Sequence, residues 1–328
     1  MVIVAGFLGS GKTSLLNHLL RHNRGMRIGV VVNDFGSINI DSMLVAGQVD
    51  SLVSLGNGCM CCAIDVDDMD ATFEALTSSD ASLDAIVVEA SGLAEPRNMI
   101  RLVLASSNPR IRYGGLVVVV DAIAWPVTSL ANPELRKHLP LADLTVLNKV
   151  DHVSAEDLTA LETEIRGVVG DVPIARTSFG AIDVDLLFDA PDRHTTAPRQ
   201  LSLDDLIREI DDSRHDHLHA GYDSMSFTAD DPMDPRIFVD LLENPPAGVY
   251  RTKGFVDFGT VGRHHRRYIV HTVGRHIRFE KTTGVGTELV LIGTGIDTGA
   301  LRSSLDAIVI GEPANNDRML VVHRYVAT

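Results

Sequence analysis

The hydrophobic and polar positions of the first 180 residues follow two alternating periods. Continuous β-branched runs, typical of strands buried on both faces, are separated by stretches with apolar residues at helical spacing. The runs predicted as strands cover 2–6, 27–34, 83–92, 114–122, 141–151 and 172–178. Helices are predicted over 12–22, 68–79 and 154–169. This alternation predicts an α/β domain with a mostly parallel sheet.

The pattern changes after Ser178. Residues 190–202, APDRHTTAPRQLS, are polar and contain prolines, as is typical of a surface connection. Beyond them we predict a smaller α+β domain with antiparallel strands. Its predicted strands cover 223–229, 248–259, 266–274 and 287–295, and its predicted helices cover 234–244 and 297–311. We therefore expect a first domain over 1–200, a linker over 201–221 and a second domain over 222–328.

Length and charge limit the class of protein. A chain of 328 residues is longer than one typical domain. Its 29 Lys and Arg against 44 Asp and Glu residues give a formal net charge of −15, which argues against a nucleic-acid partner. We find no signal peptide and no apolar run near the ~20 residues of a membrane span. We therefore expect a cytoplasmic protein that binds neither nucleic acid nor membrane.

A glycine-rich segment follows the first predicted strand. Residues 6–13, GFLGSGKT, fit the phosphate-loop pattern G-x-x-x-x-G-K-[ST]. Its backbone N–H groups would wrap a phosphate, Lys12 would reach the β- and γ-phosphates, and Thr13 would ligate Mg²⁺. The alternative, a plain glycine turn, does not explain its position between a strand and an amphipathic helix. The predicted phosphate-binding residues are Gly6, Gly9, Ser10, Gly11, Lys12, Thr13 and Ser14, with Lys12 expected on an exposed loop and also counted as catalytic.

A second motif closes a later strand. The sequence VLNKVD reads N-K-x-D, with Asn148, Lys149 and Asp151 at the fixed positions. A carboxylate at Asp151 can accept both N1–H and N2–H of guanine. Adenine lacks that pair of donors, so ATP would leave the carboxylate unpaired. The motif predicts a preference for GTP and GDP.

The strand that ends in VVEASGLAEP supplies a candidate catalytic carboxylate. Glu89, beside the phosphate-loop strand, would contact Mg²⁺ through water or orient the attacking water. Ser91 is alternatively the cap of the next helix, and the two roles are compatible.

These motifs together resemble the CobW-type family of P-loop GTPases and metallochaperones. The segments that carry the resemblance, in order, are GFLGSGKTSLLNHLL, NDFG, GNGCMCC, EASGLAEP and LNKVD, followed by YRTKGFVDF and ELVLIGTGID in the second domain. The resemblance implies a P-loop NTPase domain with a CobW C-terminal α+β domain. It also implies GTP hydrolysis coupled to delivery of a transition metal, often Zn²⁺ or Co²⁺, to a metal-requiring client protein.

All three cysteines of the chain, Cys59, Cys61 and Cys62, lie within four residues. Thiolates are soft ligands that favour Zn²⁺ or Cu⁺, and Co²⁺ also binds them. Three protein ligands leave one tetrahedral position open, which suits a site that releases its metal. Adjacent Cys61 and Cys62 are awkward ligands for one ion, so either could serve mainly in transfer. Redox sensing and inert buried thiols remain the alternatives.

The predicted linker carries His215, His217 and His219 at alternate positions. They form either a low-affinity site for loading metal or part of a solvated linker, and the sequence favours neither. The main hypothesis is thus a metallochaperone that hydrolyses GTP. Its alternative is a GTPase switch that senses zinc or redox state through the same cysteines and delivers nothing. N-K-x-D argues against a third class, a small-molecule kinase. The metal, the client and the oligomeric state stay open.

Overall fold

The computed structural model describes residues 1–32, 52–54, 73–74, 77, 83–90, 95–188, 222–261 and 264–326. The chain divides into two compact units. The first comprises Met1–Val168 with Ala175–Gly221, and the second comprises Val169–Ile174 with Tyr222–Thr328.

A seven-stranded sheet occupies the described part of the first unit, in the order β3-β2-β4-β1-β5-β6-β7. Its strands are β1 (Val2–Gly6), β2 (Ile28–Val32), β3 (Leu52–Ser54), β4 (Ala85–Glu89), β5 (Leu116–Asp121), β6 (Leu144–Asn148) and β7 (Ile174–Thr177). Strand β1 pairs in parallel with both β4 and β5, and β6 pairs in parallel with β5. The predicted parallel α/β sheet is confirmed. This order places the carboxyl ends of β4, β1, β5 and β6 side by side, where such sheets bind ligands.

Helices connect these strands. They are α1 (Lys12–Arg21), α2 (Pro96–Ala105), α3 (Trp125–Ala131), α4 (Glu134–His138), α5 (Ala155–Val169) and α6 (Val184–Leu187). Helix α1 buries Leu15, Leu16, Leu19 and Leu20, the stripe expected from their spacing. This stripe fixes the helix, so the loop between β1 and α1 is held at both ends.

Helices α3 and α4 were not predicted. They are seven and five residues long, too short for a helical period to show in the sequence. In α3 the exposed residues Val127 and Leu130 also obscure the contrast between a buried and a polar face.

A five-stranded antiparallel sheet forms the second unit, in the order β11-β10-β9-β12-β8. Its strands are β8 (Asp223–Ala229), β9 (Val249–Val261), β10 (His264–Val273), β11 (His276–Thr282) and β12 (Thr287–Gly293). Its helices are α7 (Pro235–Glu243), α8 (Thr298–Asp306) and α9 (Asn316–His323). The predicted smaller α+β unit is confirmed.

The core of this unit is aromatic. The rings of Phe238, Phe258, Tyr268 and Phe279 lie with centroids 6.0–6.5 Å apart in edge-on or tilted pairs. Strand β11 was missed because only Ile277 and Phe279 of its seven residues are buried. Helix α8 ends at Asp306, five residues before the predicted end. No helix in the described ranges is long and apolar enough to cross a bilayer.

Candidate functional site

The glycine-rich loop leaves β1 in a conformation that requires glycine. Gly6, Gly9 and Gly11 have φ angles of 149°, 76° and 103°. A Cβ on Gly6 would lie 2.4 Å from the carbonyl oxygen of Val119 on β5, and one on Gly11 would lie 2.1 Å from Nδ2 of Asn148. The loop is therefore packed closely against two neighbouring strand ends. This arrangement matches the strand, glycine loop and helix of a phosphate-binding loop.

Lys12 is buried rather than exposed, which corrects the expectation from sequence. Its side chain is 7% exposed. Nζ donates hydrogen bonds to the carbonyl oxygens of Gly6 at 3.0 Å and Phe7 at 3.3 Å. A buried ammonium group needs such partners, and the turned loop supplies them. The positive charge is thus held at the loop itself.

Three hydroxyl residues accompany Lys12 near the start of α1. Thr13 is half-buried and Ser14 is exposed in the first helical turn. Ser10 is 1% exposed, and its Oγ has no hydrogen-bond partner among the described residues. The amino end of α1 carries the positive end of the helix dipole, which favours a bound anion.

Asn148, at the end of β6, joins three segments that are distant in sequence. It is 1% exposed. Its Nδ2 donates to the carbonyl oxygen of Ser10 at 2.9 Å, and its Oδ1 accepts from the N–H of Gly180 at 3.0 Å. The amide therefore connects the glycine loop to the segment after β7.

Lys149 is held beside Asn148 by an ion pair. Its backbone has φ 65°, and its Nζ lies 2.5 Å from Oδ2 of Asp121 at the end of β5. The other oxygen of Asp121 accepts from the N–H groups of Ile123 and Ala124. Asp121 was not predicted as a site residue. The signal that could have found it is the one used for Asn148, a polar residue closing a β-branched run.

Asp151 lies in a short 3₁₀ helix, Val150–His152, with its side chain 35% exposed. A hydrogen bond from the Ser178 hydroxyl is the main cause that lowers the pKa of Asp151 below its ordinary value. His152 Nε2 lies 3.3 Å from Oδ2 of Asp151. The carboxyl group is consequently ionised at neutral pH and can only accept hydrogen bonds. Ser178 and Gly180 were also missed, because neither belongs to a motif used in the sequence analysis.

Glu89 ends β4 and is 4% exposed. It is in register with Val4 of β1, two residues before the glycine loop begins at Gly6. A buried carboxylate beside this loop has the oxygen chemistry that Mg²⁺ prefers, as does the Thr13 hydroxyl. The residues present therefore fit a magnesium ion.

The other predicted site residues lie outside the described ranges. They are Cys59, Cys61, Cys62, Ser91, His215, His217 and His219. Among the residues that the structure does describe, no group of three or more His, Cys, Asp or Glu side chains could hold a metal ion.

A Gly11→Ala substitution should disrupt the contact between the glycine loop and Asn148. The new Cβ would lie 2.1 Å from Nδ2 of Asn148, at a φ of 103°. We expect a loss of about 1–3 kcal/mol in unfolding free energy from backbone strain, together with weaker nucleotide binding. Chemical denaturation and nucleotide titration would measure both effects.

Gly167→Ala is the matched control for Gly11→Ala. A Cβ there meets no atom within 4 Å, and Gly167 lies inside α5. It should stabilise the protein by roughly 0.5–1 kcal/mol without changing nucleotide affinity. Equal behaviour of the two variants would contradict the role given to Gly11.

The glycine loop, the buried lysine and the strand-end asparagine define a P-loop nucleotide-binding protein. The chain belongs to the CobW/HypB/UreG family, whose nucleotide-binding domain matches residues 1–176. Residues 222–309 match the cobalamin synthesis protein CobW C-terminal domain. The protein is a GTPase of this family.

Several similar proteins are named zinc chaperones. The chain is 29% identical over 350 residues to the zinc chaperone CobW of Sinorhizobium sp, with 94% of this chain and 96% of that protein covered. It is 27% identical over 229 residues to the zinc chaperone YjiA of Escherichia coli (strain K12), covering 64% and 71% of the two chains. The crystal structure of Zn(II)-bound YjiA GTPase from E. coli covers 94% of this chain and 98% of its own, at 20% identity and a TM-score of 0.45.

Proposed function

We propose that this GTPase is a metallochaperone that binds Zn²⁺, or alternatively Co²⁺, at Cys59, Cys61 and Cys62 and delivers it to a client protein. The observation that carries the proposal is the similarity over 94% of the chain to a protein named a zinc chaperone. The cluster of three thiols between β2 and β4 supports it, since thiolates suit these metals. The client is a cytoplasmic protein that requires the metal.

The nucleotide roles in this proposal follow the described geometry. Asp151 accepts the two N–H groups of guanine, and Asn148 fixes the glycine loop beside that base. Lys12 and the loop N–H groups bind the phosphates. The buried ammonium is held by two carbonyl groups, so it is already oriented when a phosphate arrives.

Thr13 would hold Mg²⁺, offering its hydroxyl oxygen from the first turn of α1, and the ion would neutralise phosphate charge when it is bound. Glu89, at the end of β4, would contact Mg²⁺ through water or orient the attacking water. The burial of Glu89 supports this role, because electrostatic interactions of a buried carboxylate are less screened by solvent and therefore stronger.

Metal and nucleotide should be energetically coupled. Cys59–Cys62 lie between α1 and β4 in sequence, and GTPases commonly have segments that rearrange with nucleotide state. We expect the GTP state to gather the thiolates and tighten metal binding by about 5–150-fold relative to GDP. Titrations of Zn²⁺ and Co²⁺ with GDP and with a non-hydrolysable GTP analogue would measure this factor. By linkage, metal must raise the affinity for the analogue relative to that for GDP by the same factor.

The Cys61→Ala, Cys62→Ala double variant is the control for this coupling. It should lose the coupling while retaining GTP binding in the absence of metal. Identical metal affinity in both nucleotide states would contradict the proposal that the nucleotide state controls delivery of the metal. The cysteines would then form a static site that senses zinc or redox state.

A further inference from the structure

Phe179 has two unusual properties. Its φ angle is 57°, in the left-handed region that bulky residues rarely adopt. Its side chain is also 76% exposed. Packing in the core therefore does not explain why a large aromatic residue occupies a position that glycine would fill without strain.

The neighbours of Phe179 place it at the proposed guanine site. Ser178, on one side, has the side chain that lowers the pKa of Asp151. Gly180, on the other, donates its N–H to Asn148. Phe179 thus directly precedes the residue whose N–H holds Asn148 of the N-K-x-D motif.

The turn that carries Phe179 is fixed against α1. A Cβ on Gly180 would lie 2.5 Å from the backbone nitrogen of Leu15, in the first turns of that helix. Gly180 is therefore packed closely against the helix. This contact holds the backbone of the neighbouring residue Phe179 in place. Strained residues of this kind persist where the surroundings impose them, commonly at ligand sites.

A second residue of the same kind adjoins the site. Among the described residues, the non-glycine positions with positive φ are Arg24, Lys149 and Phe179. Lys149 follows Asn148 directly and is tied to Asp121. Two of these three strained positions therefore lie next to the residues proposed to recognise guanine.

We infer that Phe179 is a base-stacking residue, whose ring packs on the face of the bound guanine. An exposed aromatic ring at the base site gains contact area only when a planar ligand covers it. Stacking of a base on an aromatic side chain is sequence-tolerant, because every base has a π-face. Asp151 accordingly selects guanine through the N1–H and N2–H groups on the edge of the base. Phe179 adds affinity through the face of the base, which does not depend on those groups. This inference rests on the proposed roles of Asn148 and Asp151.

The test compares nucleotides with and without a base. Phe179→Ala should weaken the binding of GDP and of IDP by the same factor, about 5- to 150-fold. Inorganic tripolyphosphate with Mg²⁺ should bind as it does to the wild type, because it has no base. Leu130→Ala is the matched control, since Leu130 is a 75% exposed apolar residue on α3, and it should leave all three affinities unchanged. Isothermal titration would give the constants.

Two further variants separate stacking from a structural role. Phe179→Gly should raise the thermal unfolding midpoint by removing strain and yet bind GDP as weakly as Phe179→Ala. Phe179→Trp should restore GDP affinity, with its indole emission quenched by GDP and unchanged by tripolyphosphate. The chain has one native tryptophan, Trp125, whose signal is subtracted using the wild type.

Wild-type GDP affinity in Phe179→Ala and Phe179→Gly would overturn the inference. Equal loss of GDP and tripolyphosphate binding would also overturn it, because the residue would then support the loop rather than the base. Failure of the underlying site gives a different result. A wild type that binds ADP as tightly as GDP would contradict the roles of Asn148 and Asp151. In that case the substitution of Phe179 by alanine would still weaken the binding of both nucleotides, because stacking does not depend on the base.

Discussion

The Asp151→Asn protein is expected to bind xanthosine diphosphate in preference to GDP. In the proposed guanine site the wild-type carboxylate accepts N1–H and N2–H of the base, and the lowered pKa of Asp151 further favours its ionised form. Xanthine carries an oxygen in place of the guanine amino group, and an amide at position 151 can donate to that oxygen. A site that leaves a buried donor or acceptor unpaired rejects the wrong ligand strongly. We expect the affinity of Asp151→Asn for GDP to be at least about 100-fold lower than that of the wild type.

Competition binding with GDP, ADP and xanthosine diphosphate would test this change. The wild type should prefer GTP to ATP by at least about 100-fold for the same reason. Asp171→Asn, an exposed aspartate that belongs to neither motif, removes the same charge and should leave the preference for guanine intact. Equal affinity of the wild type for GTP and ATP would contradict the assignment of the base.

The sequence predicted those parts of the candidate site that depend on local pattern. A loop with glycine at positions 6, 9 and 11 can be recognised because positive φ angles restrict the residue type. The partners of Asp121 and Gly180 could not be recognised from such a local pattern. Each acts through a partner distant in sequence, Lys149 for Asp121 and Asn148 for Gly180. Such contacts depend on strand order, which the pattern of apolar residues does not specify.

The fold shows the same division between local and long-range information. Strands buried on both faces, such as β1 and β5, were predicted because nearly every residue in them is apolar. Strand β11 was missed because only two of its seven residues are in the core, so its alternation of buried and polar residues is too short to indicate a strand. The burial of Lys12 was also missed, because it follows from a loop that turns its own carbonyl groups toward the ammonium. Residue type alone predicts an exposed lysine.

The Lys12→Ala protein is expected to lose tight nucleotide binding. Lys12 contributes the positive charge held at the glycine loop by the carbonyl groups of Gly6 and Phe7. Truncating one partner of a buried charge pair costs about 2–5 kcal/mol, which corresponds to a loss of about 30- to several-thousand-fold in affinity. Titration with GDP and with a non-hydrolysable GTP analogue would measure it.

Burial of Lys12 adds a stability effect to this substitution. Two loop carbonyl groups lose their donor, so we expect the unfolding free energy to fall by about 1–3 kcal/mol, with the chain still folded. Circular dichroism melts would establish the temperature range in which binding can be compared. Lys137→Ala removes a lysine that is 69% exposed and forms a surface ion pair with Glu134, and it should change neither property. Wild-type affinity for GTP in folded Lys12→Ala would show that the glycine loop is not where the phosphates bind.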